Sequence, residues 1–381
     1  MKRFVASALA LVTAAVAHEG VHDGRDLTFP TTDDGRLILP VDLHTHSVFS
    51  DGHVWPTVRI WEAERDGLAA LAVTEHLEYQ PHREDIPHPD RNRSFELARE
   101  AAARAAGDGG KPVVVIPGAE ITRRFEPGHV NAVFIEDANP LLTIENRADD
   151  NLDNARAAFE EARRQGAFTF WNHPAWPRDF KTGVLELTRK QKKLFDDGLI
   201  QGIEVANGQY YSEEAFGIAQ SETMVVLGTS DIHGLIDYDY DIAAGEHRTV
   251  TLVLADAHTS EAIERALKAG RTAALYRSQV IGNADHVETI LDAALSVEPL
   301  GRRRGSEIMG IRISNAAPVD ITIRNVGPKR FNSASDIITI PARGHVETAL
   351  NDTREMVGLS LEVEVLSAFT APGRHPRLTL E

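Results

Sequence analysis

Leu37-Ile38-Leu39-Pro40-Val41-Asp42-Leu43-His44-Thr45-His46 is an apolar run that stops at two imidazoles spaced two residues apart. Residues i and i+2 of a strand face the same side, so His44 and His46 can offer two nitrogens to one ion at the end of a strand over Leu37–Leu43. A lone His-x-His is weak evidence, because isolated histidines are mostly surface residues or satisfied core residues. What gives it weight is repetition along the chain. Further short apolar runs at Leu68–Val73, Pro112–Ile116, Val130–Ile135, Ala167–Trp171, Leu199–Val205, Met224–Gly228 and Thr249–Leu254 predict strands. Between them, amphipathic stretches at Pro56–Asp66, Phe95–Ala106, Leu152–Gln165, Thr188–Asp196, Ser212–Gln220 and Ser260–Ala269 predict helices. Pro56 stands where proline suits a helix start, and Gly67, Gly107, Gly166 and Gly270 stand where helices end. Such alternation over residues 37–276 predicts an α/β fold, a β/α barrel. An open doubly wound sheet is the competing architecture, but no glycine-rich phosphate loop follows the first strand.

After a predicted helix (Ala284 to Leu295) the texture changes. Ile311/Ile313, Val319/Ile321/Ile323 and Leu361/Val363/Val365 alternate with polar residues, the period of half-buried strands. We expect a small C-terminal all-β domain, β-sandwich-like, over residues 305–381. Residues 277–304 then form a helical connection that ends in Gly301-Arg302-Arg303-Arg304-Gly305. At the other terminus, Lys2 and Arg3 precede the apolar run Phe4–Val16 and the small-residue sequence Ala15-Val16-Ala17. This is the pattern of a secretory signal peptide over residues 1–17, shorter than the roughly 20 residues of a permanent membrane span. The expected mature protein is secreted or periplasmic, with no membrane anchor.

Hydrophobic residues make up 42% and charged residues 25% of the 381, as in ordinary globular proteins. The absence of cysteine excludes disulfides, thiolate metal sites and a cysteine nucleophile. A net charge of −17 argues against a grip on long nucleic acid, which needs a basic surface. Small anionic substrates stay open, since a bound metal can reverse the local field. Oligomeric state is not legible.

Chemistry-bearing residues cluster at the predicted strand ends. The first strand is followed by Ser50-Asp51-Gly52, and the second closes with Thr74-Glu75-His76. Next come Gly118-Ala119-Glu120, His129, Asn172-His173-Pro174, Glu204-Val205-Ala206-Asn207 and Ser230-Asp231-Ile232-His233. Barrel strands carry functional side chains at their C-terminal ends, on one common face. Packing alone does not put a histidine or carboxylate there in nearly every unit, because such groups are costly to bury unless paired or bound to metal.

These motifs, in this order over about residues 40–275, resemble those of the PHP (polymerase and histidinol phosphatase) superfamily. The resemblance implies a distorted (β/α)7 barrel with up to three metal ions in its cleft, hydrolysing phosphate esters. Carried over by position, His44, His46, Glu120 and Asp231 would hold a first ion. Glu120 would bridge to a second, held also by His129 and His173. Asp51, His76 and His233 would hold a third. Glu75 departs from the usual aspartate of its motif, which touches supporting geometry rather than the ligands. The C-terminal β domain lies outside the resemblance.

Imidazole and carboxylate donors suit zinc, manganese or iron, so two to three such divalent ions are the expected cofactors. With neutral imidazoles, Asp51, Glu120 and Asp231 bring three negative charges to the nine candidate ligands. Three divalent ions would leave an excess near +3, enough to acidify a bridging water and attract a phosphate dianion. The expected activity is an exported phosphoesterase for small phosphomonoesters or phosphodiesters, with Asp231, His233 and Glu120 as its catalytic residues. Hydrolysis of non-phosphate esters or amides on the same site is the alternative, and a non-catalytic metal-binding module is a third reading. Arg123, Arg124 and His53 are the candidate substrate contacts. Glu204 and Asn207 are expected to orient ligand imidazoles. Tyr210-Tyr211 and Trp176 are expected on the rim, and His82 and His88 in solvent.

Overall fold

In the computed structural model the chain is described over residues 26–107, 112–124, 126–144, 149–174, 185–302, 305–332, 335–351 and 359–381. Residues 1–17, Trp176 and the Arg303-Arg304 pair therefore lie outside the described residues. The first half alternates strand and helix: β1 (Leu37–Asp42), α1 (Pro56–Arg65), β2 (Ala70–Val73), α2 (Arg93–Gly107), β3 (Val114–Thr122), β4 (His129–Val133), α3 (Leu152–Arg164), β5 (Phe168–Trp171), α4 (Arg189–Asp196) and β6 (Gly202–Asn207). A short hairpin arm, β7 (Tyr210–Tyr211), precedes α5 (Glu213–Ser221), β8 (Val225–Thr229) and α6 (Ile236–Asp239). The barrel is completed by β9 (Val250–Ala255), α7 (Ser260–Lys268), β10 (Thr272–Tyr276) and β11 (Gln279–Gly282).

These strands curl into a distorted β/α barrel. β1 pairs in parallel with β2, β2 with β3, β5 with β6 and β6 with β8. The distortion comes from antiparallel pairs: β3 with β4, β4 with β5, β1 with β9, and β9 with β10. On its far side β8 faces β9 and β10 through side chains. Thr251 Oγ1 donates to the Gly228 carbonyl at 2.8 Å, and Thr272 Oγ1 donates to the Val226 carbonyl at 2.8 Å. The backbones meet so closely there that a Cβ on Gly228 would lie 2.8 Å from the Val250 carbonyl oxygen.

α8 (Ala284–Ala294) leads into the all-β domain: β12 (Leu295–Arg302), β13 (Met309–Asn315), β14 (Ile321–Asn325), β15 (Ile337–Ile340), β16 (Gly344–Leu350), β17 (Leu361–Val365), β18 (Ala368–Phe369) and β19 (Arg377–Leu380). β12, β13 and β16 form one antiparallel sheet; β15, β14, β17 and β19 form the other. β18 instead joins the barrel sheet, parallel to β11. The expected helical connection over 277–304 is thus helical only along α8. Leu295 and Val297 are buried while Ser296 and Glu298 are exposed, so this piece is already a strand of the β domain. Among the described residues no helix is long and apolar enough to cross a membrane.

Candidate metal centre

The barrel brings the scattered acids and imidazoles to one place because nearly all stand at or just past the C-terminal end of a strand; the exception, His129, opens β4, whose antiparallel pairing sets its first residue against Thr122 at the end of β3. Backbone hydrogen bonds hold these ends in register. His46 N–H donates to the Ile232 carbonyl at 3.1 Å, Asp231 N–H to the His44 carbonyl at 2.9 Å, and Glu120 N–H to the Glu75 carbonyl at 3.0 Å. Gly52 lets the Asp51 loop fold onto this edge, since a Cβ there would lie 2.7 Å from the His46 carbonyl carbon. Asp231 and His173 take positive φ angles of 51° and 27°, a conformation non-glycine residues rarely adopt and one that clusters at functional sites.

Glu120 is the hub. Its side chain is wholly buried, and Oε2 lies 3.3 Å from His44 Nε2, 3.2 Å from His46 Nε2 and 2.9 Å from His76 Nδ1. Oε1 lies 2.8 Å from His129 Nδ1 and 3.7 Å from His173 Nε2, and accepts from Asn172 Nδ2 at 3.1 Å. Asp231 Oδ1 completes a first group, 3.2 Å from His44 Nε2 and 3.1 Å from His46 Nε2, which are themselves 3.0 Å apart. These edges nearly match those of a tetrahedral ion with bonds of about 2.0–2.1 Å, whose ligand atoms sit about 3.3 Å apart. His44 Nδ1 faces Glu204 Oε1 at 2.8 Å; donating there leaves a lone pair on Nε2 that only a shared cation or proton can satisfy beside His46. The donor set therefore fits a metal ion.

A second convergence surrounds Asp51. Its Oδ1, buried and without a hydrogen-bond partner, lies 3.1 Å from His233 Nε2, 3.4 Å from His76 Nε2 and 3.8 Å from His46 Nδ1. His233 Nδ1 donates to the Asp231 carbonyl at 2.8 Å, which aims Nε2 at Asp51. His46, Asp51, His76 and His233 form one group able to hold an ion, His44, His46 and Asp231 another, and His76, Glu120 and His129 a third. His173 stands beside the third group, its ring centroid 5.0 Å from that of His129.

The field of this cluster favours cations. Burial raises the pKa of Glu120, but the imidazoles of His76, His44 and His129 hold it well below the usual range. Asp231 and Asp51 are likewise depressed, burial being outweighed by His44 and His46 around Asp231 and by His233 and His76 around Asp51. Conversely burial lowers His76, yet Glu120 and Asp51 lift it to about 10. The cage is closed below and open above: the side chains of His44, His46 and Glu120 are fully buried, whereas Asp231, Asp51, His129 and His233 keep 20%, 21%, 22% and 34% exposure.

Supporting residues sort differently from expectation. Glu204 does reach the ligands: besides His44 it accepts from the His173 N–H at 2.6 Å, Asn207 Nδ2 at 2.9 Å and Thr229 Oγ1 at 2.7 Å. Glu75 accepts from the hydroxyls of Ser47 and Ser50 and so ties down the Asp51 loop. Arg123 is not a free clamp: its side chain is fully buried, with Nη2 3.0 Å from Glu78 Oε1. Arg124 is exposed, and His53 is exposed with its N–H donating to the His233 carbonyl at 2.8 Å. His88, expected in solvent, is buried and bonds the Phe49 carbonyl at 3.1 Å. One supporting residue was missed. Arg59, 1% exposed, donates to the carbonyls of His46 at 2.8 Å, Ile232 at 3.2 Å and His233 at 2.9 Å. Its only sequence signal is an arginine on the inward face of a helix.

No curated protein matches the chain. Residues 295–381 match a family model described as an Ig-like domain, DUF5001. Two solved structures are similar at 18% identity: a protein named as a metal-dependent phosphoesterase from Bifidobacterium adolescentis (51% of this chain, 88% of that one, TM-score 0.38) and an amidohydrolase from Chromobacterium violaceum (55% and 97%, TM-score 0.35). A two-domain protein from Bacteroides vulgatus, containing a predicted PHP-like metal-dependent phosphoesterase, is 35% identical, with 93% of this chain and 98% of that one covered at a TM-score of 0.82. With that identity along nearly its whole length, and with its strand-end acids and imidazoles gathered as above, the chain belongs to the PHP-like metal-dependent phosphoesterases, in a two-domain form that carries an Ig-like domain.

Proposed function

We propose that the protein is an exported hydrolase of small phosphomonoesters or phosphodiesters that works with up to three divalent ions, zinc, manganese or iron. The observation that carries this is the Glu120 carboxylate, whose two oxygens face five imidazoles at 2.8–3.7 Å at the floor of one open cleft. His44, His46, Glu120 and Asp231 would hold one ion, Glu120 with His129 and His173 a second, and Asp51, His76 and His233 a third. When bound, the ions supply a nucleophilic water at neutral pH and positive charge for the phosphoryl oxygens.

The residues do the rest. Glu204 and the Asp231 carbonyl fix which nitrogen of His44 and His233 faces the cleft. Asp231, partly exposed beside the buried imidazoles and held ionised by them, would take the proton lost by the attacking water and hand it on to the departing alkoxide at the open side. His53 and Arg124, both exposed, would be the side chains that meet the anionic substrate. The test is metal content by mass spectrometry together with hydrolysis of an aryl phosphomonoester and a bis-aryl phosphodiester under zinc, manganese and iron. Turnover of either ester that vanishes with chelator and returns with metal is expected. No turnover of either ester with any metal overturns the proposal.

A further inference from the structure

Glu75, buried just past the end of β2, meets three donors from the loop that follows β1. Its Oε2 accepts from the Ser47 N–H at 3.1 Å and from the Ser50 hydroxyl at 2.5 Å, and its Oε1 accepts from the Ser47 hydroxyl. A carboxylate only accepts, so the single hydroxyl proton of Ser50 points to Glu75. The same Ser50 oxygen lies 3.3 Å from His46 Nδ1. With its proton turned to Glu75 that oxygen can only accept there, and Nδ1 is the nitrogen of His46 that carries the hydrogen. Packing does not decide this. His46 is stacked between the rings of His76 and His233, whose centroids lie 4.5 Å and 4.4 Å away at interplanar angles of 29° and 26°. Such stacking sets the plane of the ring and leaves the tautomer open. Both nitrogens also face carboxylates of the cage. Nε2 is 3.2 Å from Glu120 Oε2 and 3.1 Å from Asp231 Oδ1, while Nδ1 is 3.8 Å from Asp51 Oδ1. His46 accordingly stands in two of the groups able to hold an ion.

We propose that Glu75 is a positioning residue acting through Ser50: it holds the hydrogen of His46 on Nδ1, which gives the Nε2 lone pair to the ion shared with His44 and Asp231 and leaves the Asp51 group to Asp51, His76 and His233. A hydrogen bond to the far nitrogen fixes both the tautomer and the direction of a ligating imidazole. Glu75 thus has a task beyond tying down the loop, and Ser50 is the link that carries it. This rests on the metal-binding part of the proposal above and not on which bond is hydrolysed.

The test uses the full-length protein, zinc and two readouts. In chelator competition, Glu75→Gln and Ser50→Ala are each expected to lower zinc affinity about tenfold, as loss of such a partner does. In Glu75→Gln the new amide can donate to Ser50, which frees the hydroxyl to donate to Nδ1 and favours the wrong tautomer. Ser47→Ala is the control. It removes a loop contact of the same carboxylate but leaves the Ser50 link, and the N–H groups of Ser50 and Gly52 still donate to the Ser47 carbonyl at 3.0 Å each; zinc affinity is expected to stay within about twofold. The second readout is the nitrogen spectrum of the zinc-loaded protein labelled with 15N-histidine, with His46 assigned by its absence in His46→Gln. Hydrogen on Nδ1 and metal on Nε2 are expected. The reverse pattern overturns the proposal, as does unchanged affinity in folded Ser50→Ala, or an equal loss in Ser47→Ala, which would leave Glu75 a loop tether alone. Because neither readout is turnover, a protein that binds zinc in this way yet hydrolyses neither phosphoester overturns the phosphoesterase reading and supports this one.

Discussion

At Glu204 one carboxylate serves two candidate ligands: Oε1 accepts from His44 Nδ1 and Oε2 from the His173 N–H. Glu204→Gln would turn an amide N–H toward one of these donors, and the His44 ring would lose its tautomer. Metal affinity is expected to fall about 10- to 100-fold, as such supporting partners typically cost, in a chelator competition titration; unchanged affinity would contradict the role. The same shell sets a pH dependence. The His76 pKa of about 10 in the metal-free protein stands above the roughly 6.5 of an unfolded histidine. Its protonated form therefore adds stability fully present below about pH 6.5, which is lost as pH rises through about 10. Ions compete with protons for this site, so metal affinity should climb with pH. Metal addition at pH 7 should release protons, measurable by calorimetry in buffers of different ionisation enthalpy; no release would show that His76 keeps its proton beside the ions.

At the scale of elements, α1 works as a staple. Arg59 reaches from it to carbonyls on both ligand-bearing loops, while Nη1 pairs with Glu62 at 2.7 Å; Glu62 Oε1 accepts from the Ile236 N–H at 2.8 Å. Arg59→Ala would strip the buried His46 carbonyl of its arginine donor, take the second donor from the Ile232 and His233 carbonyls, and leave the buried Glu62 carboxylate without its cation. A loss of about 3–5 kcal/mol is expected in denaturant unfolding of the metal-free protein; a loss below about 1 kcal/mol would mean the loops hold themselves. Arg59 could not have been read from the sequence, because only the folded barrel brings the His46 and Ile232 loops together. The strand-end acids and imidazoles were legible for the opposite reason: β/α alternation fixes the end of the barrel on which they stand. β10 and β11 were not foreseen as strands. Thr272-Ala273-Ala274-Leu275 is small and apolar without alternation, because it is buried on both sides between β9 and β11. The start of the β domain was placed late because Leu295 ends one helical face and opens a strand at the same residue.

Across the whole molecule the two domains share one apolar cluster. It runs from Leu252 and Leu275 in the barrel through Ile290 of α8 to Val297, Ile313 and Val363 in the Ig-like domain. A boundary filled with buried side chains couples the two, because unfolding either half would expose the apolar surface of the other. The intact chain is therefore expected to melt in one calorimetric transition whose enthalpy equals the van't Hoff value. The probe is built in: tryptophans occur only at positions 55, 61, 171 and 176, all before the Ig-like domain, so fluorescence follows the barrel while calorimetry follows the whole. The candidate ligands all lie in the barrel, and an ion bound there at 100 times its dissociation constant would add about 2.7 kcal/mol. With coupled domains the entire heat-absorption peak should move up with metal, fluorescence midpoint and calorimetric midpoint together. Were the peak to split on metal addition, with one part fixed and silent in fluorescence, the Ig-like domain would be folding independently of the barrel.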